Sequence, residues 1–287
     1  MFGLVLLEQT TGAQATATPI PHGTIELITE DQWIAPGHEF YLGLRFKLEK
    51  GWHIYWVNPG DSGEPPRLEW KLSAGLTPGA IKWPTPQRLG TSRIVDFGYE
   101  DNVMLIVPMH AEPSLAQQHS AQLGAEVKVL VCREMCIPGK VQLSLALPIK
   151  SQSPASDVRT SALFAATRKS LPQPAPTNWK FNMNEEKESF ILLGNVGHQI
   201  SSAVFFPLNE SQISDSAPQK VVPVATGFRM TLQKSDQLLK PIARLKGVLV
   251  LSADRAYLID VPVRKTAVLK NSSATRIQSQ QFLKEGQ

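Results

Sequence analysis

Apolar and polar residues alternate along most of the first half of the chain. Between Thr24 and Pro148 the runs are short and are separated by turn residues, and residues 39–48 carry an apolar side chain at every second position. Runs with a period of two that are bounded by turn signals predict antiparallel strands. Strands at this spacing favour a β-sandwich over a parallel sheet, and we place this predicted domain at residues 20–150.

The two most regular runs are residues 126–131 and 141–147, and a tight connection joins them. This arrangement predicts a β-hairpin. Cys132 and Cys136, the two cysteines of the chain, lie at the two ends of the connection. Opposed positions in a hairpin have Cα atoms roughly 5 to 6 Å apart, a separation that a disulfide can span.

The pattern changes at residue 151. Residues 157–170 read as a helix, which the following prolines end: Pro172, Pro174 and Pro176. Residues 151–176 are therefore predicted to form a short helix and a Pro-rich linker. Alternating runs return at Trp179 and predict a second, smaller β-sandwich over residues 177–268. The predicted fold class is all-β, with two sandwich domains.

The two ends of the chain differ from its middle. Residues 1–7 are apolar and small residues follow at 13–17, as in a secretory signal, although the usual basic segment is absent. Residues 1–19 are predicted to be a signal-like or disordered N-terminus, and the polar residues 269–287 a disordered tail. No run reaches 18 consecutive apolar residues, so no transmembrane helix is predicted.

Composition and motifs exclude several classes of function. The net charge is only +4, without a dense cluster of Lys and Arg, so nucleic acid is not an expected partner. Two cysteines exclude a disulfide-stapled scaffold and any four-cysteine metal site. Phosphate-binding, dinucleotide-binding, zinc-protease and serine-hydrolase motifs are missing from the sequence. No cofactor and no metal ion are expected.

The spacing of Cys132 and Cys136 alone leaves three interpretations open. The pair is a redox-active site, a passive hairpin disulfide or two free thiols. A bridge across so short a loop constrains the unfolded chain weakly, so stabilisation is a poor reason for it. Strained or exposed bridges tend to be the labile, catalytic ones.

The surrounding sequence adds a family resemblance. Four segments carry it: residues 51–63 (GWHIYWVNPGDSG), 81–86 (IKWPTP), 97–100 (FGYE) and 130–138 (LVCREMCIP). Together they resemble the N-terminal periplasmic domain of the DsbD/ScsB family of thiol:disulfide interchange proteins. Three further segments look like the second immunoglobulin-like domain of the ScsB branch: 203–207, 216–219 and 245–249. The resemblance implies that both predicted sandwiches are immunoglobulin-like.

This resemblance implies a periplasmic or otherwise extracytoplasmic module, part of a protein-disulfide reductase system. Its cysteine pair would pass electrons to thioredoxin-fold disulfide isomerases or reductases. The membrane and thioredoxin-like domains of the full-length family are not recognised in this sequence, so a separate membrane-embedded electron donor is expected. An alternative of a different class is a non-catalytic immunoglobulin-like binding or scaffold module with a structural hairpin disulfide.

The resemblance also implies roles for the two cysteines. Cys136 matches the more exposed cysteine, which attacks the disulfide of the partner, and Cys132 matches the resolving cysteine. An accessible nucleophile and a partly buried resolving thiol at a strand end agree with this assignment. The charge of Arg133 is balanced by that of Glu134, so a strongly lowered thiol pKa is not expected.

Relatives cover the sulfurs with a cap loop that carries an aromatic residue. Asp96 to Glu100 occupy the matching place here, and Phe97 or Tyr99 would be the shielding ring. A turn whose aromatic residues belong to the core is the simpler reading of the same segment.

Two further residues match positions that line the site in relatives, His53 and Tyr55. His53 would then have a role in proton transfer. The alternative is that His53, as a lone histidine in a strand, has a purely structural role and takes no part in the chemistry.

Overall fold

The structure is a computed structural model that describes residues 16–90, 94–252 and 255–265. Its one α-helix within those residues is α1 (Ser161–Ser170), and a short 3₁₀ helix covers Pro113–Gln117. The strands of the first half are β1 (Thr18–Ile20), β2 (Gly23–Thr29), β3 (Glu39–Leu48), β4 (His53–Gly60), β5 (Arg67–Leu72), β6 (Leu76–Pro78), β7 (Gln87–Gly90), β8 (Val95–Glu100), β9 (Asn102–Ala111), β10 (Ser120–Cys132) and β11 (Cys136–Pro148). Those of the second half are β12 (Gln173–Pro174), β13 (Lys180–Glu185), β14 (Ser189–Asn195), β15 (Val204–Pro207), β16 (Lys220–Val224), β17 (Gly227–Gln233), β18 (Arg244–Ser252) and β19 (Arg255–Lys265).

Strands β1 to β11 form two antiparallel sheets around one hydrophobic core. The first sheet has the order β1-β2-β3-β9-β6, and the second has the order β11-β10-β4-β8-β7, with β5 also paired to β10. Phe40 and Leu105 from the first sheet belong to the same buried cluster as Ile54 and Val127 from the second. The apolar positions of both sheets therefore meet, and the prediction of an all-β sandwich is confirmed.

The predicted hairpin is present and longer than the two runs suggested. Strands β10 and β11 pair without interruption from Ser120 opposite Pro148 to Cys132 opposite Cys136. Apolar residues of β10 at alternate positions enter the core, which fixes the register because a slip by one residue would expose them.

The second half forms an eight-stranded sheet of order β15-β18-β19-β13-β14-β17-β16, with β12 paired to β19. It encloses its own core, in which Met183, Phe190, Phe205 and Phe228 are fully buried. A second β-structure after the proline-rich segment agrees with the sequence pattern. The domain limits themselves, 20–150 and 177–268, stay a prediction.

The helix is shorter than predicted. Residues 157–160 form a turn in which Asp157 binds the side chain of Arg159, and α1 begins only at Ser161. The one buried residue of α1, Phe164, packs on Ile28 and Ile106 on the outer side of the first sheet. The helix thus covers apolar residues of β2 and β9 that the sandwich core leaves outside.

The two halves are in direct contact. Phe206 of β15 lies edge-on to Trp56 of β4 and to Phe97 of β8, with ring centroids 6.2 Å and 5.1 Å away. Beside it, the Asn58 side-chain amide donates a buried hydrogen bond of 2.8 Å to the main-chain oxygen of Pro207. An aromatic cluster and a satisfied polar group therefore join the site-bearing strands to the second half.

The ends of the chain are described only in part. Strand β1 begins at Thr18, inside the segment 1–19 that the sequence assigned to a signal-like or disordered terminus, and it pairs with β2. Residues 1–15 of that segment and the predicted tail, residues 269–287, lie outside the described residues. Among the described residues, no helix has the length and apolar character that a membrane span requires.

Candidate functional site

Cys132 and Cys136 form a disulfide at the end of the β10–β11 hairpin. The two residues are directly opposed in the strand register, and their Cα atoms are 4.1 Å apart, closer than the separation expected from the sequence. The connection is a tight turn in which the main-chain N–H of Arg133 donates to the oxygen of Met135 at 3.2 Å.

The two sulfur-bearing residues differ in exposure. Cys132 is only 2% exposed, whereas Cys136 is exposed and follows Met135, which is 67% exposed. The difference has a structural cause: Cys132 pairs on one side with Cys136 and on the other with His53 of β4, while Cys136 begins the outermost strand of the sheet. A molecule that approaches the hairpin therefore reaches Cys136 first.

His53 and Tyr55 lie on the same face of the sheet as the disulfide. Opposed residues of neighbouring strands point to the same face, and so do residues two apart in one strand, which places His53 and Tyr55 beside Cys132. The Tyr55 hydroxyl oxygen is 3.4 Å from Cys136 Sγ, and the ring of His53 meets that of Tyr55 edge-on at 5.2 Å.

The predicted cap loop is a strand, which corrects the sequence-based expectation. Residues 96–100 belong to β8, whose Tyr99 is opposite Ile54 and whose Gly98 is opposite Tyr55. The alternation of side chains then puts Phe97 and Tyr99 on the core face, away from the sulfurs.

Contacts of the two rings agree with this placement. Phe97 is fully buried, with its ring 6.5 Å from that of Trp56, and Tyr99 donates a buried hydrogen bond of 2.7 Å to the main-chain oxygen of Pro84. Burial raises the pKa of Tyr99 well above its usual value. Neither ring shields the disulfide, whereas the hydroxyl of Tyr55 contacts Cys136 Sγ.

The other two residues of the segment, Asp96 and Glu100, are on the disulfide face. Asp96 is buried, and its Oδ1 accepts hydrogen bonds from the main-chain N–H and the hydroxyl of Ser62 at 3.1 Å and 2.8 Å. Burial raises the pKa of Asp96, while the bonds from Ser62 oppose that shift. Glu100 is exposed and is opposite His53 in the register.

The protonation states of His53 and Tyr55 follow from their burial. Burial lowers the pKa of His53, so the ring is neutral at pH 7, and within the described part of the chain its Nε2 has no hydrogen-bond partner. Burial also raises the pKa of Tyr55, so its hydroxyl keeps the proton that can be donated to a sulfur atom. The disulfide therefore has a neutral imidazole and a phenol O–H as neighbours.

Two residues of the site, Ser62 and Gly63, were not singled out from the sequence, where residues 51–63 served only as one segment of the family resemblance. Gly63 has a φ of +79° and packs so closely on the ring of Tyr55 that a Cβ atom would lie 2.1 Å from its Cζ. Ser62 holds Asp96, as described above. The available signal was a Gly-Asp-Ser-Gly segment directly after an aromatic strand, because such close packing requires small residues.

A stacked arrangement supports the hairpin turn. The ring of Trp52 lies flat against that of His22, with centroids 3.6 Å apart, and the guanidinium of Arg133 is 5.3 Å from the Trp52 ring. The described residues contain no group of three or more His, Cys, Asp and Glu side chains placed to hold a metal ion.

Comparison with known proteins agrees with this geometry. Residues 25–148 match the family model of the N-terminal domain of thiol:disulfide interchange protein DsbD, which confirms the resemblance seen in the sequence. No curated protein sequence matches the chain significantly.

A solved structure with the same fold is the N-terminal periplasmic domain of ScsB from Proteus mirabilis. It has a TM-score of 0.66 and 14% sequence identity, and the match covers 86% of this chain and 97% of that one. At this level of identity the likeness shows the fold alone, and its coverage extends to both halves of the chain.

Proposed function

From the match of residues 25–148 to the DsbD N-terminal family, we propose that this chain is an extracytoplasmic thiol–disulfide exchange module. Cys132 and Cys136 are its redox pair. The family match supports thiol–disulfide exchange as the chemistry, and the exposure of the two sulfurs supports an assignment of which cysteine attacks and which resolves.

The observation that carries the proposal is the difference in exposure between the cysteines. Cys136 is exposed at the start of an edge strand, whereas Cys132 is 2% exposed behind it. An attacking thiol must reach the disulfide of another protein, while a resolving thiol needs to reach only its own neighbour. Cys136 is therefore the nucleophile and Cys132 the resolving residue.

The exchange transfers two electrons. In the reduced pair, the Cys136 thiolate attacks one sulfur of the partner's disulfide, so a mixed disulfide forms and the partner's other sulfur leaves as a thiolate. The Cys132 thiolate then attacks Cys136 Sγ and releases the second partner thiolate. The Cys132–Cys136 disulfide is the oxidised product, and the partner takes up two protons from solvent.

The neighbouring side chains suit this chemistry. The Tyr55 hydroxyl, 3.4 Å from Cys136 Sγ, donates a hydrogen bond that stabilises negative charge on the attacking sulfur. Neutral His53, which is opposite Cys132 in the strand register, accepts the proton of the resolving thiol in this scheme.

The partners follow from the family. Electron acceptors are thioredoxin-fold disulfide isomerases or reductases, and a membrane-embedded electron donor reduces the Cys132–Cys136 disulfide again. A pair that is oxidised and reduced in each cycle belongs in an oxidising compartment such as the periplasm, since the cytosol keeps thiols reduced.

The reduction potential of the pair distinguishes exchange from a structural role. Structural bridges of secreted proteins have potentials below about −300 mV, whereas exchange proteins lie roughly between −270 and −120 mV. We expect a value in the second range when the chain is equilibrated with glutathione or dithiothreitol buffers. A value well below −300 mV would favour a scaffold module with an inert bridge.

A further inference from the structure

A cleft with acidic walls opens between the two halves, next to the disulfide. Its volume is about 360 Å³, and one wall is the turn 60–63 that follows β4. The other walls come from loops of the second half and carry Glu210, Asp215 and Asp236. The volume is at the low end of the ~300–1,000 Å³ usual for ligand pockets, and it is sufficient for a single long side chain.

Asp215 is the unusual residue of this cleft. Its side chain is buried, with the residue only 6% exposed, and within the described residues its Oδ1 has no hydrogen-bond partner. Arg88 approaches it, but the guanidinium donates to the main-chain oxygen of Asp215, at 2.6 Å, instead of the carboxylate. A buried carboxylate oxygen without a partner is costly, so this one points to a missing donor.

The charges around Asp215 indicate a cation. Asp61, Glu210 and Asp96 face it from the first and second halves, and Arg88 is the opposing charge. Burial, reinforced by Asp61, raises the pKa of Asp215 to about 7. The described residues offer no cluster suited to a metal ion, so an ammonium or guanidinium group is the donor that fits.

The cleft is continuous with the disulfide site. Gly63 of its wall packs on the ring of Tyr55, and the hydroxyl of Tyr55 is 3.4 Å from Cys136 Sγ. A protein that docks on Cys136 therefore approaches the turn that lines the cleft.

We propose that the cleft receives a Lys or Arg side chain of the protein that exchanges disulfides with Cys136. The inference rests on the proposed function and adds a recognition contact supplied by the second half of the chain. The cation donates to Asp215, and Asp236 and Glu210 add long-range attraction.

The test compares rates of mixed-disulfide formation with an oxidised thioredoxin-fold isomerase. The Asp215→Asn variant keeps the shape of the side chain and removes its charge, and it is expected to react about tenfold more slowly, as for a lost charged hydrogen bond. Asp236→Asn is expected to react about twofold more slowly, as for an exposed pair. Glu39→Gln, an exposed acidic position on β3 outside the cleft, is the matched control.

Two further measurements distinguish an effect on binding of the partner's cation from an effect on the reactivity of the cysteines. The ratio of the wild-type rate to the Asp215→Asn rate should fall towards one as the pH is lowered from 8 to 5.5, because Asp215 then takes up a proton and loses its charge. The cysteines are the same in both proteins, so their titration cancels in the ratio. Added methylguanidinium should slow the wild-type chain towards the variant rate, while NaCl at equal ionic strength should have a smaller effect.

The outcomes distinguish the two proposals. Equal rates for Asp215→Asn, Glu39→Gln and the wild-type chain would overturn the cleft contact and leave thiol–disulfide exchange intact. A wild-type chain that forms no mixed disulfide would overturn the exchange function and this inference with it.

Discussion

The hydroxyl of Tyr55 on β4 lies 3.4 Å from Sγ of Cys136 on β11, although the two residues are 81 positions apart in the sequence. The contact exists because β4 and β11 both flank β10, so that Tyr55 and the exposed end of the hairpin share one face of the sheet. It gives the attacking sulfur a hydrogen-bond donor that remains protonated at neutral pH, because burial raises the pKa of Tyr55.

Removing this hydrogen-bond donor should slow the reactions of Cys136 in the reduced protein. In Tyr55→Phe, the Cys136 thiolate loses a hydrogen bond of the kind worth about 1.5–3 kcal/mol, so less of the thiol is ionised at pH 7. Because the remaining thiolate is more nucleophilic, its alkylation by iodoacetamide should fall by about four- to fifteenfold. Tyr41→Phe, on a strand of the other sheet, is the control and should react like the wild-type chain. An unchanged rate in Tyr55→Phe would show that the hydroxyl does not stabilise the thiolate.

The packing of Gly63 on Tyr55 predicts a loss of stability. In Gly63→Ala the new Cβ collides with the ring, 2.1 Å from Cζ, and the backbone keeps a φ of +79°. Overpacking alone costs about 1–3 kcal/mol in the free energy of unfolding, which urea titration measures. Gly197→Ala is the matched control: its φ is +86°, but its Cβ meets no atom within 4 Å. Equal losses in both variants would mean that only the backbone conformation matters.

Phe97→Ala distinguishes a core residue from a lid. Phe97 is fully buried against Trp56 and Phe206, so truncation should lower the free energy of unfolding by about 3–5 kcal/mol. In the folded variant, the oxidation rate of the reduced pair by a small oxidant should stay at the wild-type value. Faster oxidation without loss of stability would restore the lid role that the strand geometry contradicts.

Asp215 predicts a pH dependence of stability. Its pKa is about 7 in the folded protein and about 3.9 in an unfolded chain, so the folded state binds the extra proton between these values. The stabilisation is complete below pH 4 and is lost as the pH rises to 7. Asp215→Asn should therefore be more stable than the wild-type chain at pH 8, by on the order of 2 kcal/mol, and equal to it at pH 4.

Urea titrations at both pH values measure this difference, with Glu39→Gln as the control. A constant difference between Asp215→Asn and the wild-type chain from pH 4 to pH 8 would contradict the shifted titration of Asp215.

The proline-rich segment gives a prediction about domain limits. We expect limited proteolysis to cut first between Ser151 and Asn178, where Val158 is 84% exposed, and to leave the two sandwiches intact. Mass spectrometry of the first fragments locates the cut. An initial cut inside either sandwich would move the boundary.

The hairpin was accessible from the sequence, because it depends on period-two alternation within single strands. The spacing of the two cysteines left their pairing as one of three interpretations, and only the family resemblance pointed to His53 and Tyr55. The strand β8 was not accessible, since Asp96 and Gly98 are residue types depleted in strands and only pairing with β4 holds them there. The cleft was also beyond sequence reasoning, because Asp61 and Asp215 meet only when the two halves pack together.

The central claim is that Cys136 attacks and Cys132 resolves, and trapping with single-cysteine variants tests it most directly. Each variant, in its reduced form, is incubated with an oxidised thioredoxin-fold partner, and mixed disulfides are quantified on non-reducing gels. Cys132→Ser should accumulate a mixed disulfide through the exposed Cys136, whereas Cys136→Ser should accumulate little, because Cys132 is 2% exposed behind the edge strand. Equal trapping by the two variants, or none by either, would contradict the account.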